Sequence, residues 1–299
     1  MHESVLLEES IKYLNLKDDS IVIDCTLGYG GHSSKILEKI KNGFLYAFDQ
    51  DEEAIEKASK RLEKIGNNFK IIDKNFVNID LVEEKVDAIL FDLGVSSPQL
   101  DEDYRGFSYH KDAKLDMRMD RRQLVSAYNV VNEYSLEKLN EIFKKYGEEK
   151  YSFTIAKNIV KYREDKKIES TLELAEIIKE SVPEKYRKKA HPARKVFQAI
   201  RIEVNDELGV FERTLRKGLD MLKPSGRIAV ITFHSLEDRL CKNIFKEVSE
   251  VKKELKDLPI VPEEFKPKYR IIKNIKPTDE EIEKNKRARS SMLRVIERI

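Results

Sequence analysis

At 299 residues the chain has material for one large domain or two ordinary ones. A charged content of 37%, a hydrophobic content of 40% and no apolar run near the ~18 residues of a membrane span argue against a helical membrane protein. Two cysteines, Cys25 and Cys241, supply neither a disulfide framework nor a zinc cluster, so the expected setting is a reducing cytoplasm; a net charge of +2 assigns no polyanionic partner unless the charge is segregated.

In chain order, an acidic start is followed by a β-branched run, IVID, at residues 21–24, which reads as a buried strand. The glycine-rich turn CTLGYGG follows it, then a helical pattern over 33–40 with Ser33 at the capping position. A second strand is expected over 43–49, a helix over 52–65, a short strand over 69–72 and an almost wholly apolar strand over 86–92. Strands apolar on both faces belong to a parallel sheet covered by helices, a doubly wound α/β fold whose ligand lies beyond the carboxyl ends of the strands. Those ends deliver Asp24, Asp49, Asn75 and Asp92 to one edge.

From about residue 105 the strand signals stop. Helical patterns fill 133–182, with Ser170-Thr-Leu-Glu173 as a capping box, and one apolar stripe runs from Val196 to Leu222. After the turn Lys223-Pro-Ser-Gly226 a strand returns over 227–233. Segments 269–275 and 292–299 read as a closing antiparallel pair. The expected organisation is a discontinuous α/β domain, 1–105 with 206–299, interrupted by an all-helical domain over 106–205.

A glycine cluster alone is a weak signal, but Gly28, Gly30 and Gly31 have company. Asp49 closes the next strand ~20 residues after the first glycine, where a carboxylate reaches a ribose diol. The charge then discriminates between cofactors. A nicotinamide dinucleotide would set its pyrophosphate against the loop, where Asp24 repels it, and Ser33 stands where the third glycine of the dinucleotide fingerprint belongs. S-adenosylmethionine brings a sulfonium, an ammonium and a ribose but no phosphate, and suits an acid-rimmed cradle. Its carboxylate would use the helix start at Gly30–His32 in sequence. Beyond Asp92, the run Ser96-Ser-Pro98-Gln99 loosely resembles the polar-Pro-Pro-aromatic loop of enzymes that methylate exocyclic base amines. Acceptors on the two N–H bonds of such an amine stabilise charge that develops as it is alkylated. A turn is the plainer reading of that loop.

Seven segments carry a more specific signal: DCTLGYGGHS, DLGVSSPQLD, RGFS, LDMRMD, GEE, HPARK and TFHSLEDR, in that order. Together they resemble the ribosomal RNA small-subunit methyltransferase H (MraW) family, over nearly the whole chain. The resemblance implies a class I S-adenosylmethionine-dependent methyltransferase fold with a helical insertion. It implies methylation of the N4 amine of a cytidine in the decoding centre of 16S rRNA. Carried over by position, donor contacts fall on Gly30, Gly31, His32, Asp49, Phe76, Asp92 and Gln99, with Asp24 and Gly28 added from the loop itself. Asp92, Ser96, Ser97 and Pro98 are the expected catalytic set. Departures at Ser4 and Lys286 are peripheral.

Residues 185–195 hold six Lys/Arg and no acid, with Tyr186 and Phe197 as candidate stacking aromatics. Lys185, Arg187, Lys188, Lys189, Arg194 and Lys195 are therefore expected to contact RNA. So are Arg287 and Arg289 of a second basic cluster, Arg105 and Arg118 on the approach to the site, and His234. His234 could equally cap the helix that follows it. No zinc or calcium signature stands out. A nicotinamide oxidoreductase, a DNA-amine methyltransferase and an inactive RNA-binding relative are the competing readings. The expected substrate context is the assembled small subunit. Whether the apolar start at Val5–Leu7 in sequence is covered by the sheet or by a second copy in a homodimer is open.

Overall fold

A computed structural model of the chain describes residues 4–95, 103–188, 191–251, 255 and 262–299. It divides into two compact units, Met1–Gly94 with Leu208–Ile299, and Val95–Glu207. The sequence texture places the first change near residue 105; in the structure Val95 already packs on the helical core with Phe107, and the second unit begins at Val95.

The first unit is built on a seven-stranded sheet of order β3-β2-β1-β4-β5-β7-β6. The strands are β1 (Ile21–Asp24), β2 (Phe44–Asp49), β3 (Phe69–Asp73), β4 (Val86–Asp92), β5 (Leu222–Thr232), β6 (Tyr269–Ile275) and β7 (Met292–Arg298). The first five are parallel; β7 runs antiparallel to β5 and to β6. Burial on both faces explains why the central strands β1 and β4 are almost wholly apolar in sequence. Val22, Leu45, Leu90 and Ile231 face one core with α1 (Leu7–Leu14) and α2 (Gly31–Lys39). Ile23, Phe48, Phe91 and Val230 face another, with Phe211 and Leu215 of the helix Glu207–Met221 and Ile244 and Phe245 of the helix Ser235–Ser249. Val5 and Leu6 are buried in the first core, so the sheet of the chain itself covers the apolar start. Among the described residues no helix is long and apolar enough to cross a membrane.

Several boundaries differ from expectation. Helix α2 begins at Gly31, two residues early, because Gly30 turns the chain in the left-handed region (φ 75°) and ends the loop there. Helix α3 (Glu52–Leu62) stops short of Ile65. The long apolar stripe is two helices, Ala193–Asn205 and Glu207–Met221, separated by Asp206 at φ 46°, a conformation that Asp tolerates better than most residues. The turn at 223–226 is absorbed as an irregularity in the β4–β5 register, where Val86 pairs with Leu222 but Ala88 with Arg227.

The second unit is helical, with one isolated bridge, Lys114–Ser170, outside its helices among the described residues. Helices Ala127–Glu133, Leu136–Lys145, Ser152–Asp165, Thr171–Glu180 and Ala193–Asn205 enclose a core that includes Val130, Ile142, Ile159, Ile178 and Ile200. Ser170 caps its helix as expected, accepting from Glu173 N–H. Two buried asparagines fix the irregular segments. Asn132 bonds Ile168 through both its backbone groups, and Asn205 bonds Met117 and Met119. Phe197 is 3% exposed in this core, which removes it as a stacking platform.

Candidate active site

The first unit brings its acids together at the carboxyl edge of β1, β2 and β4, where the strand order reverses and such sheets open a crevice. The loop after β1 is tied down from below: Cys25 N–H donates to the Leu90 carbonyl and Leu27 N–H to the Phe48 carbonyl. Gly28 and Gly30 sit at φ 49° and 75°, which favour glycine. A Cβ on Gly28 would meet nothing within 4 Å, so the loop presents bare backbone to open space there. A Cβ on Gly31 would meet the Ser4 hydroxyl, so a side chain there would make Ser4 turn aside.

Asp24 is not at the lip of the cradle but beneath it, fully buried. Its Oδ2 accepts from the Ser33 hydroxyl (2.6 Å) and its Oδ1 from Thr26 N–H (3.0 Å). Ser33 is therefore a partner for Asp24 inside α2 rather than its cap. Burial raises the Asp24 pKa against the pull of these bonds. Thr26 carries the connection onward, its hydroxyl oxygen accepting from Asp92 N–H (2.7 Å). Thr26 is the link that the sequence reading missed; a threonine two residues past a strand-end acid was the only signal.

Asp49 accepts Gly28 N–H on Oδ2 (2.8 Å) and the N–H groups of Gln50 and Asp51 on Oδ1 (2.8 and 3.0 Å). It thereby holds the loop and the start of α3 together. Burial pushes its pKa up to about 6, despite those three donors and with a further push from Asp51. Phe76, in the turn after β3, packs edge-on against Phe91 (5.9 Å) and is partly buried.

Asp92 and His32 face one another, Oδ2 to Nδ1 at 3.5 Å. Burial depresses the His32 pKa to about 4, against a raising contact with the Val5 backbone, so the imidazole is neutral at pH 7. Burial, with Asp24 and Glu237 adding repulsion, holds the Asp92 carboxyl well above the usual carboxylate range. A quarter of the Asp92 side chain is exposed, yet its Oδ1 is shut off from solvent without a hydrogen-bond partner, and so is His32 Nε2. Two orphaned polar atoms beside a bare glycine loop are a cost that a ligand would relieve. Three crowded carboxyls with raised or buried acidity favour a cationic one. The residues present thus fit S-adenosylmethionine.

Ser96, Ser97, Pro98 and Gln99 lie outside the described residues, as does Lys189. The expected RNA residues divide by how their charge is used. Arg105 is 3% exposed and donates to the carbonyls of Arg118 and Met119, which takes it out of reach of a phosphate. Arg118 is consumed by Asp116 and by the carbonyls of Arg121 and Gln123. His234 caps the helix Ser235–Ser249 in a reciprocal capping box with the buried Glu237. The spacing His-Ser-Leu-Glu was its sequence signal. Lys185, Lys188, Arg194, Lys195 and Arg289 are exposed, Lys188 beside Glu184 (2.9 Å) and Lys195 bonded to the Glu148 carbonyl. Arg187 and Arg287 are half-buried.

The model of the MraW methylase family matches residues 1–299. The "Ribosomal RNA small subunit methyltransferase H" of Exiguobacterium sibiricum is 51% identical over 306 residues, covering 100% of this chain and 98% of that protein. Among solved structures, an rRNA methylase from Streptococcus thermophilus is similar at a TM-score of 0.44 and 15% identity, covering 98% and 93% of the two chains. The methyltransferase SMU.1697c of Streptococcus mutans, solved with SAH, is similar at a TM-score of 0.46 and 16% identity over the full length of both.

Proposed function

The chain belongs to the MraW methylase family, and from that premise we propose that it methylates the exocyclic N4 amine of a cytidine in the decoding centre of 16S rRNA, within the assembled small ribosomal subunit in the cytoplasm. The chain is an S-adenosylmethionine-dependent ribosomal RNA methyltransferase, which sets aside the nicotinamide reading. The observation that carries the choice of an amine acceptor is the Asp92–His32 pair: a carboxyl with raised pKa beside a neutral imidazole, each with a buried polar atom unpartnered.

The donor supplies an electrophilic methyl group; everything else falls to the protein. Gly28, Gly30 and Gly31 form the cradle, and Asp49 would accept from the ribose with the lone pair that Gly28 N–H leaves on Oδ2. Phe76 would pack beside the adenine, and His32 would engage the amino-acid end. A cytosine amine shares its lone pair with the ring and is a weak nucleophile. Asp92 accepting one of its N–H bonds localises that lone pair, and a carboxyl with raised pKa is well matched to take the proton that the alkylated amine must lose. The 96–99 loop would complete the acceptor set. The exposed basic residues of the helical unit would hold the RNA backbone.

The test is transfer of labelled methyl groups from S-adenosylmethionine to unmodified small subunits, naked 16S rRNA and duplex DNA. Label is expected in the small-subunit RNA and absent from DNA. Label in DNA, or in protein alone, would overturn the reading.

A further inference from the structure

The first unit holds a pocket of about 420 Å³ outside the glycine cradle, lined by His234 just past β5 and by Ser291 and Met292 at the start of β7. Strand register places it. Asp92 pairs with Ile231 of β5, and the next residue, Thr232, pairs with Met292 of β7. The pocket therefore lies two strands across from Asp92 on the same sheet edge, about 10 Å away at the usual strand spacing. Its charge is unbalanced. Lys276 and Arg289 line it, both exposed, and neither is held by a carboxylate among the described residues. Of the lining acids, Asp238 gives both carboxylate oxygens to Arg294 (2.7 and 2.9 Å), which leaves Asp279 against two cations. Ser290 adds an exposed hydroxyl. His234 Nδ1 accepts from Glu237 N–H, so the ring carries its proton on Nε2. That Nε2 lies 3.0 Å from Glu237 Oε1 but off the line of a hydrogen bond, and it makes none among the described residues.

Two cations in excess, a hydroxyl and a spare ring N–H match an anion with several acceptor oxygens, which is what a phosphodiester presents. Pro277 and Ile282 give the pocket a small apolar side that suits the attached ribose. An acidic peptide would match the charge as well, but the pocket adjoins the edge to which the reaction brings RNA. We propose that it holds a backbone phosphate of the rRNA substrate next to the reacting cytidine, fixing the strand as the base meets Asp92; the inference rests on the rRNA reading above.

Arg289→Gln and Lys276→Gln alter exposed side chains and so should leave the fold intact. Each is expected to weaken binding of 16S rRNA to the full chain about threefold or more and to make the salt slope shallower by about one. Ser290→Glu, which sets a negative charge in the pocket, is expected to cost about tenfold or more. Lys286→Gln removes an exposed cation outside the lining and should change affinity by about twofold at most. All four variants should keep wild-type affinity for S-adenosylhomocysteine. An RNA with one neutral methylphosphonate beside the reacting cytidine, at the linkage before or after it, should bind the wild-type chain more weakly at one of the two positions. With Arg289→Gln that RNA should lose nothing further, and additive losses at both positions overturn the proposal. Wild-type rRNA affinity in both Gln variants overturns it, and so does an equal loss in Lys286→Gln, because a diffuse basic surface would then suffice. Saturable binding of inorganic phosphate or of a polyglutamate peptide, abolished in Arg289→Gln while rRNA affinity stays, would give the pocket to a free anion or a protein instead and also overturns it. Failure of the wild-type chain to methylate or bind rRNA would strike the functional reading, so the two failures are distinguishable.

Discussion

The variant Asp92→Asn is expected to lose turnover by 10²–10⁴-fold while binding the donor within a few-fold of wild type. The substitution keeps the shape of the side chain and the backbone N–H that Thr26 accepts, so the strand end and the loop stay anchored. What disappears is a proton acceptor whose basicity burial has raised, with Asp24 and Glu237 as further contributors. Because that acid is disfavoured in its charged form in the folded protein, removing it should leave the thermal midpoint unchanged or higher, the usual relation between a strained functional group and stability. Single-turnover transfer measured alongside thermal unfolding checks both halves. Lost activity with a lowered midpoint would mean that Asp92 is structural, and wild-type turnover would mean that the proton goes elsewhere.

Asp49→Asn should weaken donor binding by tens to about a hundredfold, since a carboxylate that bonds both the loop and a ribose hydroxyl is replaced by a neutral amide. Its pKa near 6 gives the effect a pH signature. The sign follows from linkage: the folded value lies above the ordinary 3.8, so the empty protein loses stability from this group as pH rises from about 4 through 6. Ligands that need the carboxylate bind in the opposite sense. The dissociation constant for S-adenosylhomocysteine should rise as pH falls below 6, by up to about tenfold per unit for one proton. In Asp49→Asn that dependence should vanish. Calorimetric titration between pH 5 and 8 separates the outcomes, and a pH-independent wild-type affinity would contradict the ribose assignment.

The central strands were legible because both their faces are buried: Ile23 and Phe91 turn to one core while Val22 and Leu90 turn to the other, leaving few polar residues to blur the pattern. The glycine loop and the three acids were legible because they sit at strand ends, where residue type matters most. Less legible were the decisions that depend on distant partners. Whether Ser33 caps a helix or bonds Asp24 is settled by the packing of α2 under the loop. Whether Arg105 meets a phosphate or the carbonyls of Arg118 and Met119 depends on a chain turn thirteen residues away. Phe197 has the residue type of a platform, but the helical core closes over it, with Tyr109 edge-on against its ring. The break at Asp206 interrupts an apolar period that the sequence continues without a gap. In each case local chemistry permits both readings, and the fold selects by burial.

The acceptor atom is the centre of the account, and nucleoside mass spectrometry on small-subunit RNA methylated by the wild-type protein addresses it directly. One new product, N4-methylcytidine, is the expected result, absent when Asp92→Asn is used. A methyl group on a ring carbon, a ring nitrogen or a ribose oxygen would contradict it, because none of those acceptors needs a buried carboxyl to receive an amine proton.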